Sequence, residues 1–163
     1  MKRQETIKRS KAEQREEFSD AEVDSLKKSA SRMQVNAEFG LLEEATSLFS
    51  LMFEKMKAKK FSHDQRQAKV EILNKIINLH NVKCLVDDAF SWSNKALESL
   101  ESNDPASLVI QTLTNSAKAF TAKSLFDKAR VMIEKAVALS AETYGKESRT
   151  YAKSLVTYAD YLS

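Results

Sequence analysis

The stretch LTNSAKAFTAKSLFDKARVMIEKA, Leu113–Ala136, decides the fold. Small residues fall at Ala117, Ala129 and Ala136, where two antiparallel helices must approach closely. Leu113, Phe120 and Ile133 fill the space around that contact. Each helix of such a hairpin carries an apolar stripe that the hairpin cannot bury alone, so hairpins stack on one another. The stretch therefore predicts an all-α protein whose extended surface, not a catalytic centre, does the work.

Working outward, equivalent positions recur. The small residue opening the second helix of a unit falls at Ala45, Ala89 and Ala129, and a first-helix leucine at Leu73, Leu113 and Leu155. The intervals exceed the roughly 34 residues of the tetratricopeptide pattern and approach the longer units of kinesin light chains. The expected fold is an all-α, tetratricopeptide-like helical-hairpin solenoid fragment. Its units span about 20–60, 62–103 and 104–144, with an incomplete unit over 146–163. The final helix, with Tyr151, Leu155, Tyr158 and Leu162, reads as too apolar for a finished surface. A fragment or truncated isoform of a longer repeat protein is expected.

Residues 1–19 are rich in Lys, Arg, Glu and Gln, with Ile7 and Phe18 scattered among them, and read as a solvated or disordered charged arm. The basic run Lys8–Lys11 is too short to be more than a solvated face. Apolar positions Val23, Leu26, Met33 and Val35 give a sparse first helix. Leu41, Leu42, Ala45, Leu48, Phe49, Met52 and Met56 give a strong second one after a break at Gly40. Ser62 and Gln65 form a capping box for a helix with Val70, Leu73, Ile76, Ile77 and His80. The next helix carries Ala89, Trp92, Ala96 and Leu100. Asp104-Pro105 reads as an N-cap followed by proline in the first turn. Ser124 and Asp127 read as caps of the following helix, which Gly145 ends.

Composition narrows the function. Two Gly and one Pro leave little material for hairpin turns, and 30% charged residues with 42% hydrophobic ones suit a folded chain. A net charge of +3 is too small and dispersed for a nucleic-acid partner. The single Cys84 excludes an intrachain disulfide framework and suits a reducing compartment, cytoplasmic or nuclear. No run is apolar enough for membrane insertion.

Catalytic, cofactor and metal chemistry find no footing. There is no Gly-rich phosphate loop, no HExxH and no CxxC. His80 and Cys84 share a helical face as half a zinc site, but a structural site needs four ligands and the remaining histidine is His63. A helix-end histidine and a buried thiol are the expected roles. Met33, Met52, Met56 and Met132 pack gaps, and Trp92 anchors helix packing. Lys57–Lys60 suits a helix C-terminus.

The polar side of the first-type helices is the candidate binding surface. Stacking would set Asn74, Lys75 and Asn78 of one unit beside Gln111, Asn115 and Lys118 of the next. Asn and Gln can pair with the backbone of an extended peptide, and Lys with a carboxylate.

The run FDKARVMIEKAVALSAETYGKESRTYAKSLVTYADYL, Phe126–Leu162, resembles the amyloid protein-binding protein 2 family. That family's pattern is matched at Phe126, Lys128, Ala129, Ile133, Ala136, Val137 and Gly145, then at Tyr151, Leu155, Tyr158, Tyr161 and Leu162. The pair Lys118-Ala119 extends the match, and a looser one reaches back through Trp92 and Asp88-Ala89-Phe90 to about Leu41. Ser148-Arg149 replaces a usual His-Pro pair, and residues 1–40 match nothing in the family. The resemblance implies a substrate receptor of a cullin–RING ubiquitin ligase that reads carboxy-terminal tails, amyloid precursor protein-like tails among them. The segment through which the family joins the ligase is not visible in this sequence. The expected function is thus a non-enzymatic scaffold with a protein or peptide ligand and no cofactor. A kinesin-light-chain-like cargo adaptor in microtubule transport is the alternative.

Overall fold

Residues 15–163 are described in the computed structural model; the expectations for Ile7 and for Lys8–Lys11 lie outside them. Among the described residues seven α-helices follow one another: α1 (Asp20–Glu38), α2 (Leu42–Ala58), α3 (Arg66–Val82), α4 (Val86–Ser99), α5 (Ala106–Ala122), α6 (Phe126–Tyr144) and α7 (Arg149–Leu162). They pack as antiparallel pairs, α1 with α2, α3 with α4 and α5 with α6. The first helices also stack on one another, α1 on α3, α3 on α5 and α5 on α7. This is the all-α, tetratricopeptide-like stack of hairpins that the small-residue spacing predicts. Ala45, Ala89, Ala129 and Ala136 are all buried at the close contacts.

One turn recurs at the end of the first helix of each of the three pairs. Gly40, Cys84 and Ser124 all have positive φ, at 78°, 58° and 64°. After each, a leucine amide reaches back to close the helix: Leu41 N–H to Asn36 O (2.8 Å), Leu85 N–H to His80 O (2.9 Å) and Leu125 N–H to Phe120 O (2.9 Å). This is the Schellman closure, which caps orphan carbonyls through a left-handed residue. Each of these leucines then occupies the N-cap position of the second helix. The turn thus ends one helix and launches the next with a single geometry. It also corrects the expected start of α6: Ser124 is the left-handed residue, and no side chain caps that helix.

Other local expectations change too. Ser62 and Gln65 do form a capping box, but on a 3-10 turn (His63–Gln65) that precedes α3. Helix α1 is capped by a box of its own, Ser19 with Glu22. Phe18 is not a solvated arm residue: it is buried against Phe61, with ring centroids 4.9 Å apart. Its amide donates to Lys60 O (2.9 Å), and Gln65 Nε2 donates to its carbonyl (2.9 Å). Val35 lies exposed, while Ala30 and Ala37 join Val23, Leu26 and Met33 in the buried stripe of α1. Cys84 is exposed and not a buried thiol, because its left-handed backbone turns it out of the helix pair. His80 is buried, its Nδ1 2.8 Å from Ile76 O.

Asp104 departs furthest from expectation. Pro105 takes the N-cap position of α5, and Asp104 folds back beneath the start of α3. Its carboxylate accepts from Arg66 Nη1 (2.7 Å) and Nη2 (2.6 Å), Gln67 Nε2 (3.3 Å) and the Glu101 amide (2.8 Å). The guanidinium, donating hydrogen bonds to the charged form, holds this carboxyl down to about 2. A charged strut thereby joins the beginning of the second unit to the beginning of the third.

Candidate peptide-binding groove

Leu155 and Leu162 of α7 lie at the surface, as the unfinished apolar face read from the sequence implies, and the helix packs through its hydroxyl side chains. Ser154 and Thr157 are buried against α5 and α6, with Ser154 Oγ 2.9 Å from Ser140 Oγ. Leu155, Val156 and Leu162 face outward. The interval that equates Leu155 with Leu73 and Leu113 therefore fails, since Leu73 and Leu113 are buried. Short hydroxyl side chains let α7 approach, and α5 and α7 leave a groove of about 450 Å³ between them.

One wall is the outer face of α5, with Gln111, Asn115 and Lys118; the other is α7, with Thr150, Lys153 and Thr157. Ile110 and Val156 supply apolar surface. Lys118 and Lys153 are exposed, and neither has a carboxylate partner among the described residues. Asp160 lines the adjoining hollow beside Lys118. Ser154 and Thr157 donate their protons to carbonyls one turn back, at 3.1 and 3.2 Å.

The six residues expected on this surface divide into two groups. Gln111, Asn115 and Lys118 stand together on the α5 wall. Asn74 is fully buried between α3 and α5, where its Nδ2 donates to Thr112 Oγ1 (2.8 Å) and its Oδ1 accepts from Asn115 Nδ2 (3.3 Å). Asn81 Nδ2 adds a bond to Asn115 O (3.1 Å). These amides join two stacked helices, so Asn74 is a packing residue. Lys75 is turned to Ser31 Oγ (2.8 Å), and Asn78 is half-buried away from the groove. Lys153, Thr150 and Thr157 escaped the sequence reading. The signal for them was the polar spacing Thr150, Ser154, Thr157, which the apolar stripe of the same helix masked.

No group of His, Cys, Asp and Glu side chains suited to a metal ion occurs among the described residues. No helix among them is long and apolar enough to cross a membrane.

The chain is similar to amyloid protein-binding protein 2. The rat protein is 27% identical over 110 residues, and the mouse protein 26% identical over the same length. The aligned region is 68% of this chain and 18% of each relative, so the chain spans a small part of amyloid protein-binding protein 2. No protein-family model matches the chain. The stacked-hairpin fold and the likeness to a binding protein together support a protein-interaction scaffold. The name amyloid protein-binding protein 2 is that of a binder and not of an enzyme.

Proposed function

We propose that this chain is a non-enzymatic adaptor module that binds an extended peptide tail in the α5–α7 groove. The observation that carries this reading is the pairing of Lys118 and Lys153 across a trough lined by amide and hydroxyl groups, without a carboxylate in its walls. An extended peptide offers one N–H and one C=O per residue. Gln111 can serve both, Asn115 can accept through its Oδ1, the Thr150 hydroxyl can do either, and the lysines take a terminal carboxylate or an acidic side chain. The likeness to amyloid protein-binding protein 2 supports tails of the amyloid type as ligands. The family resemblance adds a role as substrate receptor of a cullin–RING ubiquitin ligase, in cytoplasm or nucleus. Affinity should be modest, because a short groove buries limited surface while ordering a flexible peptide.

Titration of free-acid and amidated forms of one peptide tests the reading. The free acid should bind more tightly to the parent chain, and Lys118→Ala with Lys153→Ala should erase most of that difference. Equal affinity of both forms for both proteins would leave the groove as hydrated surface.

A further inference from the structure

A second cavity, also about 450 Å³, opens among α2, α3 and α4 and shares no residue with the α5–α7 groove. Its origin lies in the packing: α2 packs closely on α1, whereas its link to the second unit runs through side chains. Phe49 sits edge-on to His80 at 4.9 Å, and Phe53 edge-on to Trp92 at 5.8 Å. Phe53, Met56, Leu73 and Trp92 form the apolar floor. Around the rim stand Arg15, Lys57, Lys69 and Lys95, and no Asp or Glu lines the cavity.

The state of these cations points to a ligand. Lys95 Nζ lies 4.5 Å over the Trp92 ring, and Lys57 Nζ lies 4.4 Å over Phe53. Arg15, Lys69 and Lys95 have no carboxylate partner among the described residues. Among the described residues the carboxylate partner of Lys57 is the exposed Glu54 one turn away. Lys59, by contrast, is committed to Glu22 at 2.9 Å and serves the fold. The chain has 23 acidic residues against 26 basic ones, so this gathering is not the local face of a large global surplus.

We propose that this cavity docks an acidic segment of a partner protein, inserting one apolar side chain over Phe53 and Trp92 and setting flanking carboxylates on Arg15, Lys69 and Lys95. Charge complementarity decides the occupant. Residues 1–14 carry Lys2, Arg3, Lys8, Arg9 and Lys11 against Glu5 and Glu13, a net positive charge that does not complement the rim. A nucleic acid calls for a basic stripe along its backbone, and these cations ring one hollow. An apolar pocket with a polar rim is the usual anchor site of a protein partner, and the volume falls within the roughly 300–1,000 Å³ of ligand pockets.

Trp92 is the single tryptophan of the chain, so its fluorescence reports occupancy directly. The probe is a short blocked peptide of Asp and Glu around one Phe. It should give a saturable change in Trp92 emission that weakens with added salt. Replacing its Phe by Ser, or reversing the rim with Lys69→Glu and Lys95→Glu, should each weaken binding by roughly tenfold or more. Lys118→Ala and Lys153→Ala should leave this signal unchanged, which separates the two surfaces. If charge reversal reduces the helical circular dichroism signal, Lys69→Gln with Lys95→Gln takes its place and should weaken binding in the same direction. No change in emission, equal binding of the Ser peptide, or tighter binding of a single-stranded oligonucleotide or of phosphatidylserine vesicles would overturn the proposal.

Discussion

At the scale of single residues, the recurring left-handed turn sets up a direct comparison. Gly40 takes φ of 78° without penalty, while Cys84 and Ser124 hold nearly the same conformation with a Cβ attached. A side chain in the left-handed region costs roughly 1–2 kcal/mol through its clash with the following carbonyl. Replacing it by glycine recovers part of that, less the greater chain entropy glycine loses on folding. Cys84→Gly and Ser124→Gly should each raise stability by about 0.5–1 kcal/mol. Gly40→Ala should lower it by about 1 kcal/mol, since a Cβ there meets no neighbour within 4 Å and only the backbone is strained. Denaturant unfolding of the three variants decides the matter, and an unstable Cys84→Gly would place the side chain in a role the backbone does not reveal. The break at Gly40 is visible in the sequence because glycine advertises it. The same turn at Cys84 and Ser124 is hidden, because neither residue type announces a positive φ.

Helices were legible where one face alternates between large and small apolar side chains, and illegible where the buried face is hydroxylic. Helices α3 and α5 show the first case: Val70, Leu73, Ile76 and Ile77, then Leu108, Leu113, Ala117 and Phe120, are buried as their spacing predicts. Helix α7 shows the second. Its apolar stripe is the stronger periodic signal, yet Ser154 and Thr157 face inward because small side chains fit the narrow approach to α6 and α5. Binary patterning cannot weigh such a fit, so half of the candidate groove stayed out of view. Close approach also supplies a test at this scale. Ala129 lies fully buried in the pairing of α6. Forcing a larger side chain into such a contact typically costs about 1–3 kcal/mol, so Ala129→Leu should lower the melting temperature well beyond an exposed control such as Val131→Leu. A melt that matches the parent would mean that α6 can slide away from its neighbour without loss.

Across the whole molecule, most of the packing is local, each helix touching neighbours one or two places along the chain. Such a stack needs something to hold one unit to the next besides apolar contact, and the Arg66–Asp104 strut is one such tie. An aspartate followed by proline looks in the sequence like a helix start. Its real partner lies 38 positions back, a distance that only the stacked fold brings together. The strut makes stability depend on pH in a defined sense. The Asp104 carboxyl is held down to about 2 in the folded chain, from an ordinary value of 3.8. Because its folded pKa is depressed, its contribution is fully present above about pH 4 and is lost as the pH falls from there toward 2. Asp104→Asn keeps the shape but loses the charge, and should cost about 2 kcal/mol at neutral pH. The gap between parent and variant should then narrow as the pH falls below about 4, when the parent's own carboxyl takes up its proton. Thermal melts of both proteins at neutral pH and across this acid range would show the convergence. High salt should leave most of the gap in place, since the side chain of Asp104 is fully shielded from solvent and ions screen buried pairs poorly. A gap that stays constant through the acid range would mean that the charge on Asp104 contributes nothing to holding the second and third units together.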